Sequence, residues 1–252
     1  MSPFRGRYLI ILALGFSLAS AGPAFAQDDG NSTEFWPEID VWLRLSPAWR
    51  LSSFAAISRN IETAYREGSL ILQGDYAFGR IKRPLKRRML DETRARQMRR
   101  FLVRGGYLTG RSLDDQDQAY REITALLELH FRTPFKHNVL VSHRLRSDLR
   151  WLGDDDPAFS SRLRYRLMVE KEYQAGRTSI VPYVNGEAYY DSRYDRVNRV
   201  RLIGGASVAL TRLFALEANL TYQHDSRSSV KNLYVLNVIL HLSFETARAR
   251  ER

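Results

Sequence analysis

Between Ser161 and Tyr173 the chain reads SRLRYRLMVEKEY, and this stretch limits its folding choices sharply. Leu163, Tyr165, Leu167 and Val169 fall on one side of an extended backbone, and Arg162, Arg164, Arg166, Met168 and Glu170 on the other. That period of two belongs to a strand and not to a helix. A half-buried strand of a soluble protein alternates as well. The surroundings are therefore decided by how often the pattern recurs and by what stands at the ends of each run.

It recurs along the whole chain. Phe35 to Leu45 sets Ile39, Val41, Leu43 and Leu45 against Glu38, Asp40, Trp42 and Arg44. Trp49 to Asn60, Gly68 to Arg80 and Arg99 to Leu108 follow, then a run presenting Ile123, Ala125, Leu127, Leu129 and Phe131. Asn138 to Trp151 places Val139, Val141, Leu145, Leu149 and Trp151 opposite Ser142, Arg144, Arg146, Asp148 and Arg150. Beyond Tyr173 come Ile180 to Asp191 with Glu187 on the polar side, Arg199 to Val208 with Arg199 and Arg201, Phe214 to Tyr222 with Glu217, and Tyr234 to Phe244. Most runs hold 10 to 14 residues, longer than the ~5 to 6 of an ordinary soluble strand and matched to a tilted membrane strand of ~9 to 11. Short connectors such as Thr133 to Lys136 alternate with longer polar ones such as Asp191 to Asn198, the asymmetry of periplasmic turns and external loops in an outer-membrane barrel.

With that polarity, the apolar faces carry rings at both rims. Tyr107, Trp151, Phe159, Tyr190, Tyr222 and Tyr234 mark the outer end, and Trp49, Phe78, Phe131, Tyr173, Phe214 and Phe244 the periplasmic end. Amphipathic rings favour the two interfaces of a bilayer. An arginine facing lipid near the midplane costs about 2 to 4 kcal/mol, so three on one strand would cost roughly 6 to 12 kcal/mol, comparable to the stability of a domain. The guanidinium side therefore points inward. The expected inward network comprises Arg144, Arg146, Arg150, Arg162, Arg164, Arg166, Glu170, Glu187, Arg199, Arg201 and Glu217. Inward arginines and acids are nearly balanced, which suits a self-paired filling better than the uncompensated rings of an anion-selective pore.

The chain opens with Arg5 and Arg7, an apolar run from Tyr8 to Ala19 and the small-residue site Ala24-Phe25-Ala26, the three parts of a Sec signal cleaved after Ala26. Residues 27–34 are an N-terminal extension, 35–244 the barrel and 245–252 a C-terminal tail on this reading. Cysteine is absent. Of 37 basic and 28 acidic residues left after removal of the two signal arginines, net +9, most of the surplus lies in the connector from Gly79 to Arg100, with ten basic residues against two acidic. Lys82, Arg83, Lys86, Arg87 and Arg88 in that connector are expected to contact anionic headgroups. Export makes nucleic acid an unsuitable partner; the expected partners are outer-membrane lipid, lipopolysaccharide and the barrel-assembly machinery.

No glycine-rich phosphate loop, metal-ligand spacing or cysteine cluster is present, so no cofactor, metal or catalytic residue is assigned. A lipid-modifying barrel enzyme of esterase or deacylase type is the alternative. It would need a serine brought within hydrogen-bond reach of His143 or His224 from a neighbouring strand.

The segments FWPEIDVWLRLSPAWRLSSF, SRLRYRLMVEKEY with Pro182, Tyr183 and Glu187, Asn198 to Gly205, and LYVLNVILHLSF together resemble the domain of unknown function family 2490, predicted outer-membrane barrels. The resemblance implies an all-β, closed antiparallel transmembrane barrel in the outer membrane, and no established activity. Eleven segments are counted. Because bacterial single-chain barrels have even numbers, the expectation is about 12 strands, with 10 as the alternative.

Overall fold

A computed structural model of the chain describes residues 30–80, 99–114, 121–153, 158–176, 178–211 and 213–246. The signal segment and the five connector residues Lys82, Arg83, Lys86, Arg87 and Arg88 lie outside them. Every long element is a strand: β1 Asn31–Arg44, β2 Trp49–Asn60, β3 Arg66–Arg80, β4 Arg99–Ser112, β5 Arg121–Pro134, β6 Val139–Leu152, β7 Ala158–Lys171, β8 Tyr173–Ala175, β9 Thr178–Asp191, β10 Arg196–Ala209, β11 Phe214–Asp225 and β12 Asn232–Glu245. The twelve form one sheet.

Eleven of them close a ring, each pairing with its chain neighbour, β7 with β9, and β12 back onto β1. The twelfth, β8, is a three-residue ribbon that pairs only with the start of β9. Among the described residues the strand beyond the ring is thus Tyr173 to Ala175. Around the ring every pairing is antiparallel except the last: β1 and β12 run parallel from Asn31↔Asn232 to Arg44↔Glu245. An odd number of alternating strands cannot return to its start any other way, so the ring is mixed where an antiparallel one is expected. β1 also begins at Asn31, inside the expected extension.

The alternation puts hydrocarbon outside and charge inside. Leu127, Leu163, Leu202 and Leu220 are exposed on the outer surface, Leu220 by 62 %. All twelve rings assigned to the two rims are exposed as well. At one rim seven rings touch in succession across β2 to β7: Trp49, Tyr76, Phe78, Phe101, Phe131, His143 and Tyr165, with centroids 4.9 to 6.2 Å apart. Such offset ring pairs add stabilisation beyond the area they cover. At two inward glycines the neighbouring strand comes too close for a side chain: a Cβ on Gly106 would stand 2.6 Å from the Leu72 carbonyl oxygen, and one on Gly205 2.5 Å from that of Ala218.

Candidate functional site: an interior charge network

Register assembles the network. Residues directly opposite one another in successive pairings form the row Arg50↔Asp75↔Arg104↔Glu128↔Arg146↔Arg164↔Tyr189. Because side chains opposite one another in a sheet stand about 5 Å apart, guanidiniums and carboxylates alternate at contact distance over the first five places. Arg50 Nε donates to Asp75 at 2.7 Å, and Arg104 Nε to the other oxygen at 2.6 Å. Arg104 and Arg146 each donate to Glu128 at 3.2 Å, His130 Nε2 lies 2.8 Å from it, and Arg144 Nη1 lies 3.6 Å away. The Arg50 guanidinium also rests 4.1 Å above the Trp42 ring.

From β6 onward the row sets arginine against arginine, Arg146 opposite Arg164 and Arg144 opposite Arg166. Carboxylates reach these from diagonal positions. Glu187 accepts from Arg164 Nε and Nη2, both at 3.1 Å, and bonds Arg144 across the width of β7. Asp148 bonds Arg146 and lies 3.7 Å from Arg164. Tyr189, 1 % exposed, collects the guanidiniums of Arg162, Arg164, Arg199 and Arg201 around its ring at 4.5 to 5.8 Å. Arg201 hydrogen-bonds Gln223 at 3.1 Å, and Arg166 has no carboxylate within 4.0 Å among the described residues. At the rim beyond, Arg150 pairs with Glu122 at 2.9 Å and Arg199 with Asp225 at 2.7 Å.

A second cluster holds the parallel seam. Asp40 of β1 stands opposite His241 of β12; the ring spans Asp40 at 3.1 Å and Glu217 of β11 at 3.0 Å, and Tyr183 donates to Glu217 at 2.6 Å. Glu170 is buried near the same end, 1 % exposed. Ten of the eleven residues expected in the network thus join charged, amide or aromatic neighbours or are sealed from solvent, and Arg166 sits among them in register. Asp75, Arg104, Glu128, Tyr189 and His241 complete it. They lie on the same alternating face, but only register shows that they meet.

The filling is dense at mid-height: Asp75, Glu128, Asp148 and Glu217 are each 2 % exposed or less. Toward the rim where β1 begins, an interior cavity of about 250 Å³ remains between Trp36, Glu38, Phe54, Glu67, Leu108 and Glu122. Among the described residues no group of three or more His, Cys, Asp or Glu could hold a metal ion, and no serine hydroxyl is hydrogen-bonded to a histidine. His143 Nδ1 meets the Tyr165 hydroxyl at 2.8 Å on the outer surface, Ser147 lies opposite Leu127 and Leu163, and His224 Nδ1 meets Asn232 at 3.0 Å. No helix among the described residues is long and apolar enough to cross a membrane, a criterion that does not bear on strands.

A closed cylinder of strands with apolar side chains outside and ionised ones inside defines a β-barrel. A family model described as "Protein of unknown function (DUF2490)" matches residues 92–234, more than half of the chain, and the chain belongs to that family. No curated protein and no solved structure matches it.

Proposed function

We propose that the chain is a bacterial outer-membrane barrel whose charge-lined lumen is closed by its own side chains, acting as a structural element of the membrane rather than as an open pore. One observation carries the reading: exposed leucine, valine and aromatic side chains cover the outside while buried arginine and carboxylate pairs fill the inside. In water this arrangement would expose the residues that gain most from burial and bury those that lose most. Against hydrocarbon the apolar face carries no such cost, and pairing the charges inside is cheaper than turning them toward lipid.

The Sec signal, the lipid and lipopolysaccharide contacts, the headgroup role of the basic connector and delivery by the assembly machinery belong to this proposal. The dense middle of the lumen favours occlusion over small-solute permeation. A lipid-modifying enzyme finds no support in the surroundings of His143 and His224. The test is planar-bilayer recording on purified protein, after fractionation has established whether it needs detergent for extraction. Insertion without steady current is expected. Stable, reproducible conductance steps would replace the structural role by a permeability role, and extraction in plain buffer would remove the membrane reading altogether.

A further inference from the structure

One row of the inner wall is lined by small residues where the charged row deeper in the barrel is filled. Glu38↔Ala56↔Ser69↔Gly110↔Glu122 runs across β1 to β5, with a carboxylate at each end and nothing larger than serine between. In the deeper row Arg50↔Asp75↔Arg104↔Glu128, every place carries a charged side chain that reaches its neighbour. The contrast leaves the cavity of about 250 Å³, bounded below by Phe54, Ile71 and Leu108 and above by Trp36, Ser58 and Glu67. The indole N–H of Trp36 donates to Glu34 at 2.6 Å, which fixes the ring in the wall.

The carboxylates here are only partly answered. Glu122 pairs with Arg150 at 2.9 Å, but Glu38 and Glu67 form no ion pair among the described residues. Two residues below Glu38 on the same face, Asp40 gives one oxygen to His241, while the other, Oδ1, is buried and accepts no hydrogen bond. Asp40 stands opposite Phe54, at the level of the cavity's deep end. No basic side chain among the described residues lines the cavity. Arg201, 5.5 Å from the Trp36 ring, is held by Gln223 at 3.1 Å, and the arginines at these strand ends, Arg59, Arg66, Arg111 and Arg121, alternate onto the outer face. Asp114 accepts from the Arg66 amide at 2.6 Å and from its guanidinium at 2.8 and 3.1 Å, which holds the Asp114 carboxyl below the usual carboxylate range. The connectors from β2 to β3 and from β4 to β5, residues 61–65 and 113–120, hold four acidic residues and no basic one. Enclosed carboxylates without a partner are costly, so the cavity favours a cation.

We propose that this cavity binds a short linear diamine, with one ammonium at Glu38, the other at Glu67, and the methylenes between them against Phe54, Ile71 and Leu108. The inference goes beyond the structural role and is independent of the membrane reading, since the cavity lies inside the barrel. Three features favour a diamine over a metal ion. The carboxylates do not converge as metal ligands do; Glu38 and Glu67 stand two strands apart, roughly 10 Å along the wall. The surface between them is apolar, and the Trp36 and Phe54 rings suit an ammonium. Six non-hydrogen atoms at the ~30 Å³ share of a water molecule need roughly 180 Å³, within the volume present.

Titration calorimetry of the purified protein with 1,4-diaminobutane at neutral pH tests the assignment, and saturable binding of one molecule per chain is expected. Losing one contact between charged groups weakens binding about ten-fold. 1-Aminobutane should therefore bind about ten-fold more weakly than the diamine, and Glu38→Gln or Glu67→Gln should each weaken the diamine by a similar factor. In Glu67→Gln the two amines should bind alike. Glu62→Gln, at the same rim but outside the cavity, should stay within two-fold of the parent. Circular dichroism shows whether the variants are folded. Should a glutamine variant fail, Ser69→Leu, which fills the cavity and keeps both carboxylates, is expected to abolish binding. No binding of the diamine at millimolar concentration would show that protons neutralise these carboxyls and would overturn the site. Equal affinity for the two amines, undiminished binding by the folded Glu38, Glu67 or Ser69 variants, or displacement by equimolar Mg²⁺ would overturn it as well. Extraction of the protein in plain buffer would remove the membrane reading and leave this site standing.

Discussion

Glu128→Gln puts the network to its sharpest test. Glu128 is fully buried and lies 3.2 Å from both Arg104 and Arg146, 3.6 Å from Arg144 and 2.8 Å from His130. Glutamine keeps the volume and one acceptor but removes the charge that three guanidiniums share. Breaking a buried pair by removing one partner costs about 3 to 5 kcal/mol, because the remaining charge is stranded away from water. Here Asp75 still serves Arg104, Asp148 serves Arg146 and Glu187 serves Arg144, so about 3 kcal/mol, the lower end, is expected. Urea unfolding in lipid vesicles, read by fluorescence of the four tryptophans, measures it. Glu38→Gln is the control: Glu38 also faces inward but forms no ion pair among the described residues, and its substitution should cost below ~1 kcal/mol. If Glu128→Gln lies within ~1 kcal/mol of the parent and matches Glu38→Gln, the interior pairs do not hold the barrel and the account of the filling is wrong.

The adjacent glycines of β10 separate wall geometry from composition. Gly205→Ala should destabilise by on the order of 2 kcal/mol, because its Cβ meets the Ala218 carbonyl at 2.5 Å, whereas Gly204→Ala, with nothing within 4 Å, should stay within ~0.5 kcal/mol; equal unfolding midpoints would contradict the close approach. Parallel closure places Asn31 and Glu245 at opposite rims, so an epitope inserted before Asn31 and another after Thr246 should differ in protease access in sealed, oriented vesicles, and access from the same side would refute the odd ring. Asp114 titrates below the ordinary carboxylate range, so its hold on the Arg66 amide is complete above that range and is lost as pH falls through its own depressed value. Hydrogen exchange at the Arg66 amide should show protection that disappears only in acid, and loss of protection near neutrality would argue against the contact.

Much of the architecture was legible one strand at a time. The side on which Arg162, Arg164 and Arg166 point follows from alternation and from the cost of a guanidinium in hydrocarbon, both local properties. For the same reason the twelve rim aromatics could be assigned, since each needs only its own strand and the polarity of the connectors. The strand count was legible to within the short ribbon at Tyr173 to Ala175, too brief to show a period.

Two things belong to tertiary structure alone. Arg104 and Glu128 are 24 residues apart and Arg144 and Glu187 are 43 apart, and whether they meet depends on register, which a shift of one residue would reverse to the other face. The parallel meeting of β1 with β12, and with it the Asp40, His241 and Glu217 cluster, depends on how the ring closes across some two hundred residues of chain. Alternation fixes which way a side chain faces; only the closed ring fixes what it faces.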